Sequence, residues 1–239
     1  MRDAQLPVTG LPAGLEVLAP IAAASGSPTR LYLCVDRERG VELVLKVGHG
    51  AAGPAVRAEA RALARLGGHR HVLALQMAGR TSDGTPWVLT DHAAGGSLAS
   101  RIGAPAAEAV LWASQLGEAL AHAHRSGVVH GDVTPTNVLL DERDRVLLAD
   151  FGSAHMVRDA DRERTHHGRT PAHAAPERRD PAPPTPESDV YGLASTVLTV
   201  CGDHHGLGRR ARSLLHRCLG RPPQRPSAAT LARELSGRP

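Results

Sequence analysis

The stretch from Val128 to Gly152 constrains the fold more than any other part of the chain. Two short apolar runs, Val138-Leu139-Leu140 and Val146-Leu147-Leu148, flank Asp141-Glu142-Arg143-Asp144-Arg145. That pattern predicts a β-hairpin with a five-residue loop. Pairing the runs brings their open ends together. Asn137 and Asp150 stand at those ends, and Asp132 lies five residues before Asn137. Oxygen-bearing side chains converging on one hairpin mouth suit a hard cation such as Mg²⁺, held together with substrate phosphates. A surface hairpin with polar ends would look the same from these residues alone, so the rest of the chain must decide.

A chain of 239 residues with 41% hydrophobic content can build one domain or two small lobes around a real core. Aromatics are only 2%, so leucine, valine and alanine must fill it. Cys34, Cys201 and Cys218 lie far apart with no CxxC pair, which argues against a disulfide framework or thiolate zinc site and suits a reducing cytoplasm. The first residues lack the basic-then-apolar order of a signal peptide. No run approaches the ~18 apolar residues of a membrane span, so no membrane association is expected. The formal charge is +4, but acidic residues are interspersed and stacking aromatics are scarce, so nucleic acid is not an expected partner. Of the 28 basic residues only Lys46 is a lysine. A chain that uses arginine everywhere else retains lysine where a compact ammonium is needed.

In chain order, residues 1–14 read as a loose lead-in. Leu31–Asp36 and Val41–Val47 read as paired strands around Arg37-Glu38-Arg39-Gly40. In the second, Val41, Leu43, Leu45 and Val47 share one face, and Glu42, Val44 and Lys46 the other. Before them, Ala22 to Thr29 forms a small-residue turn around Gly26 that could pass close to a phosphate. Gly53-Pro54 opens a helix that Gly67-Gly68 closes. Val56, Glu59, Leu63 and Leu66 fall on one of its faces, so Glu59 needs a partner, and Lys46 is the natural candidate. Strands are predicted at Val72–Met77 and Trp87–Thr90 around Ser82-Asp83-Gly84. Gly95-Gly96-Ser97 suggests a linker, and a helix is predicted from about Ala106 to Arg125 with Val110, Leu111, Leu116 and Leu120 in the core. Leu214, Leu215, Cys218 and Leu219 read as core packing, and Ser227 as the cap of a last helix. His166-His167 and His204-His205 lack a third ligand at suitable spacing and read as loop histidines.

Over roughly residues 15–236 the chain resembles a eukaryotic-type protein kinase domain of the bacterial serine/threonine kind. The motifs that carry the resemblance are Val44-Leu45-Lys46, Glu59, His130-Gly131-Asp132 with Asn137, Asp150-Phe151-Gly152, Thr170 to Glu177, Ser188-Asp189-Val190-Tyr191-Gly192 and Arg225-Pro226-Ser227. The resemblance implies an α+β, two-lobed fold: a small antiparallel β-sheet N-lobe over 15–92 and a mostly helical C-lobe over 93–239. It implies ATP and Mg²⁺ as cofactors and a protein with a Ser/Thr acceptor as substrate. Lys46 would hold the α- and β-phosphates and pair with Glu59. Asp132 would orient the acceptor hydroxyl and take its proton. Asn137 and Asp150 would hold Mg²⁺, and Thr170 would contact Asp132. Asp189 would fix the catalytic-loop backbone, and Glu177 with Arg225 would tie down the activation segment. Thr90 would be the gatekeeper, with Asp91-His92-Ala93 as the hinge beside adenine.

The departures define the alternatives. The glycine-rich loop keeps only its middle glycine, Gly26; Ala24 and Thr29 occupy the other positions, and Pro28 stiffens the loop. Val44 replaces alanine over the adenine ring, Thr134 replaces a lysine near the γ-phosphate, and Gly131 replaces an arginine that would meet an activation-segment phosphate. No such phosphorylation switch is therefore expected, although Thr165 and arginines 162, 164 and 169 lie in that segment. Val200 to Leu207 is short for the αF–αG region. These features motivate a pseudokinase, a nucleotide-binding scaffold, as the alternative. An aminoglycoside-type phosphotransferase shares His-Gly-Asp followed by Asn, but Asp150-Phe151-Gly152 and Ala175-Pro176-Glu177 speak against it. With no sensor or membrane segment in the sequence, a regulatory partner protein is expected to supply any signal.

Overall fold

The computed structural model describes residues 11–21, 29–157, 170–179 and 182–237. Strands β1 (Leu15–Ile21), β2 (Thr29–Asp36), β3 (Val41–Gly48), β4 (Leu75–Arg80) and β5 (Pro86–Asp91) form one antiparallel sheet in the order β1-β2-β3-β5-β4. The alternation expected for β3 holds. Leu43, Leu45 and Val47 are buried with Tyr32, Cys34, Trp87 and Leu89 on one face, which leaves Val44 and Lys46 on the other. β1 was not foreseen from the sequence. Its Pro20 is tolerated because the strand lies at the sheet edge, and a register shift sits between Val17 and Ala19.

β4 begins three residues later than the sequence pattern suggested, at Leu75 rather than Val72. Residues 71–73 are taken by the hairpin instead: Leu73 N–H donates to Leu148 O at 3.0 Å, and Leu148 N–H donates to His71 O at 2.9 Å. The hairpin itself is as expected, with β7 (Val138–Leu140) paired antiparallel to β8 (Val146–Leu148). A two-residue pairing of β6 (Val128–Val129) with β9 (His155–Met156) closes the segment around it.

Helix α1 (Gly53–Leu66) buries Val56, Glu59, Leu63 and Leu66, the expected stripe. Helix α2 (Ala106–Arg125) buries Ala109, Trp112, Ala113, Leu116, Ala119, Leu120 and Ala123. The expected core role of Leu111 is wrong: it is 53% exposed, and Val110 is only partly buried. The small residues on the opposite face let the helix at Ala228–Ser236 approach α2 closely, so alanines rather than the larger Leu111 face inward. Helices α3 (Pro186–Val200), α4 (Arg209–Cys218) and α5 (Ala228–Ser236) complete the large lobe. Thr185 and Ser188 form a reciprocal cap on α3, and Ser227 caps α5 as expected. Residues 201–208 connect α3 to α4 without a helix. The main core runs without a break from α1 through α2 and the hairpin to α5. All three cysteines are free and buried. Among the described residues, no helix is long and apolar enough to cross a membrane.

The turn after α1 is pinned to this core by histidines. His122 Nε2 lies 2.8 Å from Leu66 O, and His71 Nδ1 lies 3.0 Å from Val146 O. His69 stacks on His122 with ring centroids 4.5 Å apart. Burial, with His122, His71 and Arg70 acting in the same direction, pushes the His69 imidazole down to about 4. Two outcomes are expected. Leu116→Ala will destabilise the protein by roughly 2–5 kcal/mol in denaturant unfolding, whereas Leu111→Ala will stay within about 0.5 kcal/mol. A histidine held neutral when folded binds its proton more readily when unfolded, so it weakens the fold as pH falls from the ordinary value near ~6.5 towards that lowered value. Thermal melts across that window will show a shallower loss in His69→Gln than in wild type.

Candidate active site

Lys46 stands on β3, on the face opposite the small core, and reaches two carboxylates. Its Nζ is 2.7 Å from Glu59 Oε2 and 2.7 Å from Asp150 Oδ1. The Asp150 contact is a well-formed hydrogen bond. The Glu59 contact is ionic but poorly aligned, and Glu59 Oε2 has no other hydrogen-bond partner. The two carboxylates differ in solvation: the Glu59 side chain is 4% exposed and that of Asp150 is 48% exposed. Burial alone would lower the Lys46 pKa, but the two carboxylates outweigh it and the ammonium is held charged. Burial opposes ionisation of Asp150, yet the Lys46 charge beside it keeps its carboxyl below the usual range. For Glu59 burial is the largest influence and pushes it up, against the attraction of Lys46.

Asp150 is placed by its neighbours. Its backbone is left-handed, φ 57°, a conformation that aspartate tolerates better than most residues. Phe151 is fully buried with its ring edge-on to His130 at 4.7 Å, and this anchors the turn. Asn137 opposes Ala149 across the hairpin mouth, accepting the Ala149 N–H on its backbone oxygen at 3.0 Å. Its amide Nδ2 donates to Asp132 O at 2.9 Å and approaches Asp132 Oδ2 at 3.3 Å. Both neighbours can only accept, so the nitrogen must face them, and Oδ1 is left facing away with only a long 3.5 Å contact from Thr136. A free amide oxygen and a half-exposed carboxylate at one hairpin mouth are the hard donors that Mg²⁺ takes, so the residues fit that ion. His204 and His205 lie in the turn between α3 and α4, with His204 Nε2 2.8 Å from Leu198 O, and His166 and His167 lie outside the described residues.

Asp132 is half-buried, and Thr170 holds it from the other side. Thr170 N–H donates to Asp132 Oδ1 at 2.8 Å, and Thr170 Oγ1 lies 3.3 Å from Oδ2. The backbone beneath is fixed by Asp189 of α3, whose carboxylate accepts the His130 and Gly131 N–H groups, each at 2.8 Å. His124 Nε2 approaches the same carboxylate at 2.9 Å. Glu177 and Arg225 form a two-point ion pair, with Arg225 also over the Tyr191 ring at 5.0 Å.

Thr134 does not project into this site. It is 1% exposed and its hydroxyl pairs with that of Thr136 at 2.9 Å. Val44 shares the Lys46 face of β3 and pairs in register with the buried Thr90. Beyond Thr90, the Asp91 carboxylate is occupied by Gln76 at 2.6 Å, and the Asp91 N–H by Ala74 O. Ala93 N–H has no partner among the described residues, which leaves it available to a ligand. Gly26, Ala24 and Pro28 lie outside the described residues, as do Thr165 and arginines 162, 164 and 169.

Two features were missed in the sequence. Ala93, Ala149 and Leu73 form a small apolar cluster of their own, with Leu139 and Leu147 of the hairpin packed against it. It runs from the hinge to the residue before Asp150 and offers a surface for a flat ring. The odd-numbered hairpin positions carried the signal, since an alternating strand must present one apolar row away from the main core. The second is His173, whose Nδ1 lies 3.0 Å from Ser195 Oγ on α3; burial lowers its pKa, while the nearby Asp132 charge acts the other way.

A family model described as a protein kinase domain matches residues 24–210. The serine/threonine-protein kinase PknK of Mycobacterium tuberculosis is 34% identical over 157 residues, covering 64% of this chain and 14% of that protein. The DNA damage-responsive serine/threonine-protein kinase RqkA of Deinococcus radiodurans is 31% identical over 230 residues, 90% of this chain and 34% of its own length. The serine/threonine-protein kinase PkaA of Streptomyces coelicolor is 40% identical over 128 residues, 52% of this chain and 23% of that protein. The chain thus spans about a third or less of these relatives.

Gly131 has φ 84°, and a Cβ there would come within 2.8 Å of Ser153 O and 3.1 Å of Pro184 Cγ. Gly131→Arg is therefore expected to cost roughly 1–3 kcal/mol in denaturant unfolding, the range for a strained backbone position. A Gly131→Arg protein as stable as wild type would show that the loop accepts a side chain there.

Proposed function

The chain belongs to the protein kinase family, and we propose that it transfers the γ-phosphoryl group of ATP, with Mg²⁺, to a serine or threonine hydroxyl of a protein substrate. The observation that carries this reading is the bridged Lys46. One ammonium touches both the buried Glu59 and the half-exposed Asp150, the ion pair and the carboxylate that phosphoryl transfer needs in place together.

Each residue then has a defined task. Lys46 binds the α- and β-phosphates, and Glu59 keeps it aimed at them. Asn137 and Asp150 would hold the metal ion. When bound, Mg²⁺ supplies charge neutralisation on the phosphates. Asp132 orients the acceptor hydroxyl and receives its proton, and Thr170 and Asn137 fix both of its carboxylate oxygens. Phosphoryl transfer asks little covalent chemistry of the protein, so positioning and charge carry the rate. Asp91 and Ala93 would offer backbone groups to the adenine, with the Leu139 and Ala149 row and Val44 beside its ring. The work is done in the cytoplasm, consistent with three free buried thiols, and a partner protein supplies the regulatory signal.

Purified protein with Mg-ATP and protein acceptors is expected to incorporate phosphate. Asp132→Asn will lower the rate by at least about 10²-fold while nucleotide binding survives. Lys46→Arg, the exchange that the chain's own composition favours elsewhere, will cost about 10²–10³-fold, because a planar fork cannot replace a point charge between two carboxylates. A thermal shift with ATP but no incorporation into any acceptor would overturn the kinase reading in favour of a scaffold.

A further inference from the structure

The positive charge of this chain is not spread over its surface. Residues 204–224 hold five arginines, 209, 210, 212, 217 and 221, and no aspartate or glutamate. Of the 28 basic residues, the other 23 are met by 24 acidic ones. The whole formal surplus of the chain therefore comes from α4 and the turn that follows it.

The helix presents that charge outward. Leu214, Leu215 and Cys218 are buried, at most 2% exposed, and seat α4 on the core. Arg209, Arg210 and Arg217 lie on the exposed side, and Arg221 continues it past the helix end. Among the described residues, Arg209, Arg212, Arg217 and Arg221 make no ion pair, and Arg210 has only a 3.9 Å contact to Glu234. Elsewhere Arg225, Arg145 and Arg101 are matched to Glu177, Asp141 and Asp144, and the described arginines that make no ion pair there, such as Arg57, Arg125 and Arg143, are scattered along the chain rather than gathered on one helix. The connection 201–208 contains no helix that would cover this face.

We propose that the outer face of α4, with Arg221, docks an acidic segment of a partner protein, a stretch of polypeptide rich in aspartate and glutamate. Unpaired guanidiniums along one helix face match carboxylates carried on an extended chain, since each can accept a carboxylate in two-point fashion. The other anionic partners fit less well. A membrane surface is met by helices that insert an apolar face, and the apolar face of α4 is already spent inside the core. Single-stranded nucleic acid is held by aromatic stacking alongside charge, and residues 204–224 contain no Phe, Tyr or Trp. Duplex binding needs a basic footprint larger than one helix, and the rest of the chain carries 23 basic residues against 24 acidic ones.

The proposal stands apart from phosphoryl transfer, and its test needs no turnover. Fluorescence anisotropy of a labelled Asp/Glu-rich peptide is measured against the full chain, with a single-stranded oligonucleotide and anionic phospholipid vesicles as parallel probes. The peptide is expected to bind, to weaken as salt is raised through about 0.15 M, and to bind roughly tenfold or more weakly to the triple variant Arg209→Glu, Arg217→Glu, Arg221→Glu. The neutral triple, with glutamine at the same three positions, will fall between the two and guards against misfolding of the charge reversal, which thermal melts also check. Equal peptide binding by wild type and both variants overturns the proposal. So does tighter binding of the oligonucleotide or the vesicles than of the peptide.

Discussion

Everything in the candidate site depends on one ammonium shared by two carboxylates of unequal solvation. Glu59 is buried, and removing Lys46 would strand its charge in the core, a loss of several kcal/mol for such pairs. Asp150 is half-exposed and can be re-solvated when its partner turns elsewhere. Glu59 is thus the permanent partner and Asp150 the exchangeable one. The arrangement carries an excess of negative charge at the hairpin mouth, since Asp132 adds a further carboxylate beyond the two that Lys46 faces. Asp150 would hold a divalent cation that offsets that excess, and Lys46 would then keep Glu59 as its partner while facing a polyanion. The site is electrostatically incomplete in the direction of the ligands that the kinase reading assigns to it.

The second constraint is the buried carboxylate of Asp189. It accepts two successive backbone N–H groups, from His130 and Gly131, and meets the His124 ring. A carboxylate 2% exposed is tolerable only with such a set of donors. Their geometry turns the chain at Gly131 into a conformation that strongly favours glycine. The missing arginine at position 131 then follows from the backbone rather than from loss of a charge alone. The turn packs so tightly against Ser153 and Pro184 that no side chain fits. Tethering of the 170–179 segment falls instead to Glu177 and Arg225, and to Thr170 on Asp132.

What could be read from the sequence was local. The hairpin, the β3 alternation and the α1 stripe each follow from a short-range period, and together they put Lys46, Glu59, Asn137 and Asp150 on facing surfaces. What could not be read was set by tertiary partners. β4 starts late because the hairpin claims the backbone of 71–73, a contact between segments some 75 residues apart. Leu111 follows the helical period poorly once Trp112 is inward, and leucine has no stronger claim on the interior than the alanines that let α5 close in. β1 carries a proline that would disqualify a central strand but not an edge one. The Leu139, Ala149 and Ala93 row is too small and too scattered along the chain to register as a motif.

The uneven use of cations ties these strands together. Where one carboxylate is to be gripped, the chain uses arginine, and the Arg225–Glu177 pair shows why: two nitrogens meet two oxygens of a single partner. Where three parties must be served in turn, a fork is the wrong shape, because engaging one partner fully orients it away from the others. Lysine has one small, rotatable charge on a flexible stem, and Nζ sits at the same 2.7 Å from both of its carboxylates. The solitary lysine is therefore a consequence of geometry, while the arginines of α4, of which only Arg210 meets a carboxylate among the described residues, belong to the surface proposed to take its carboxylates from a partner.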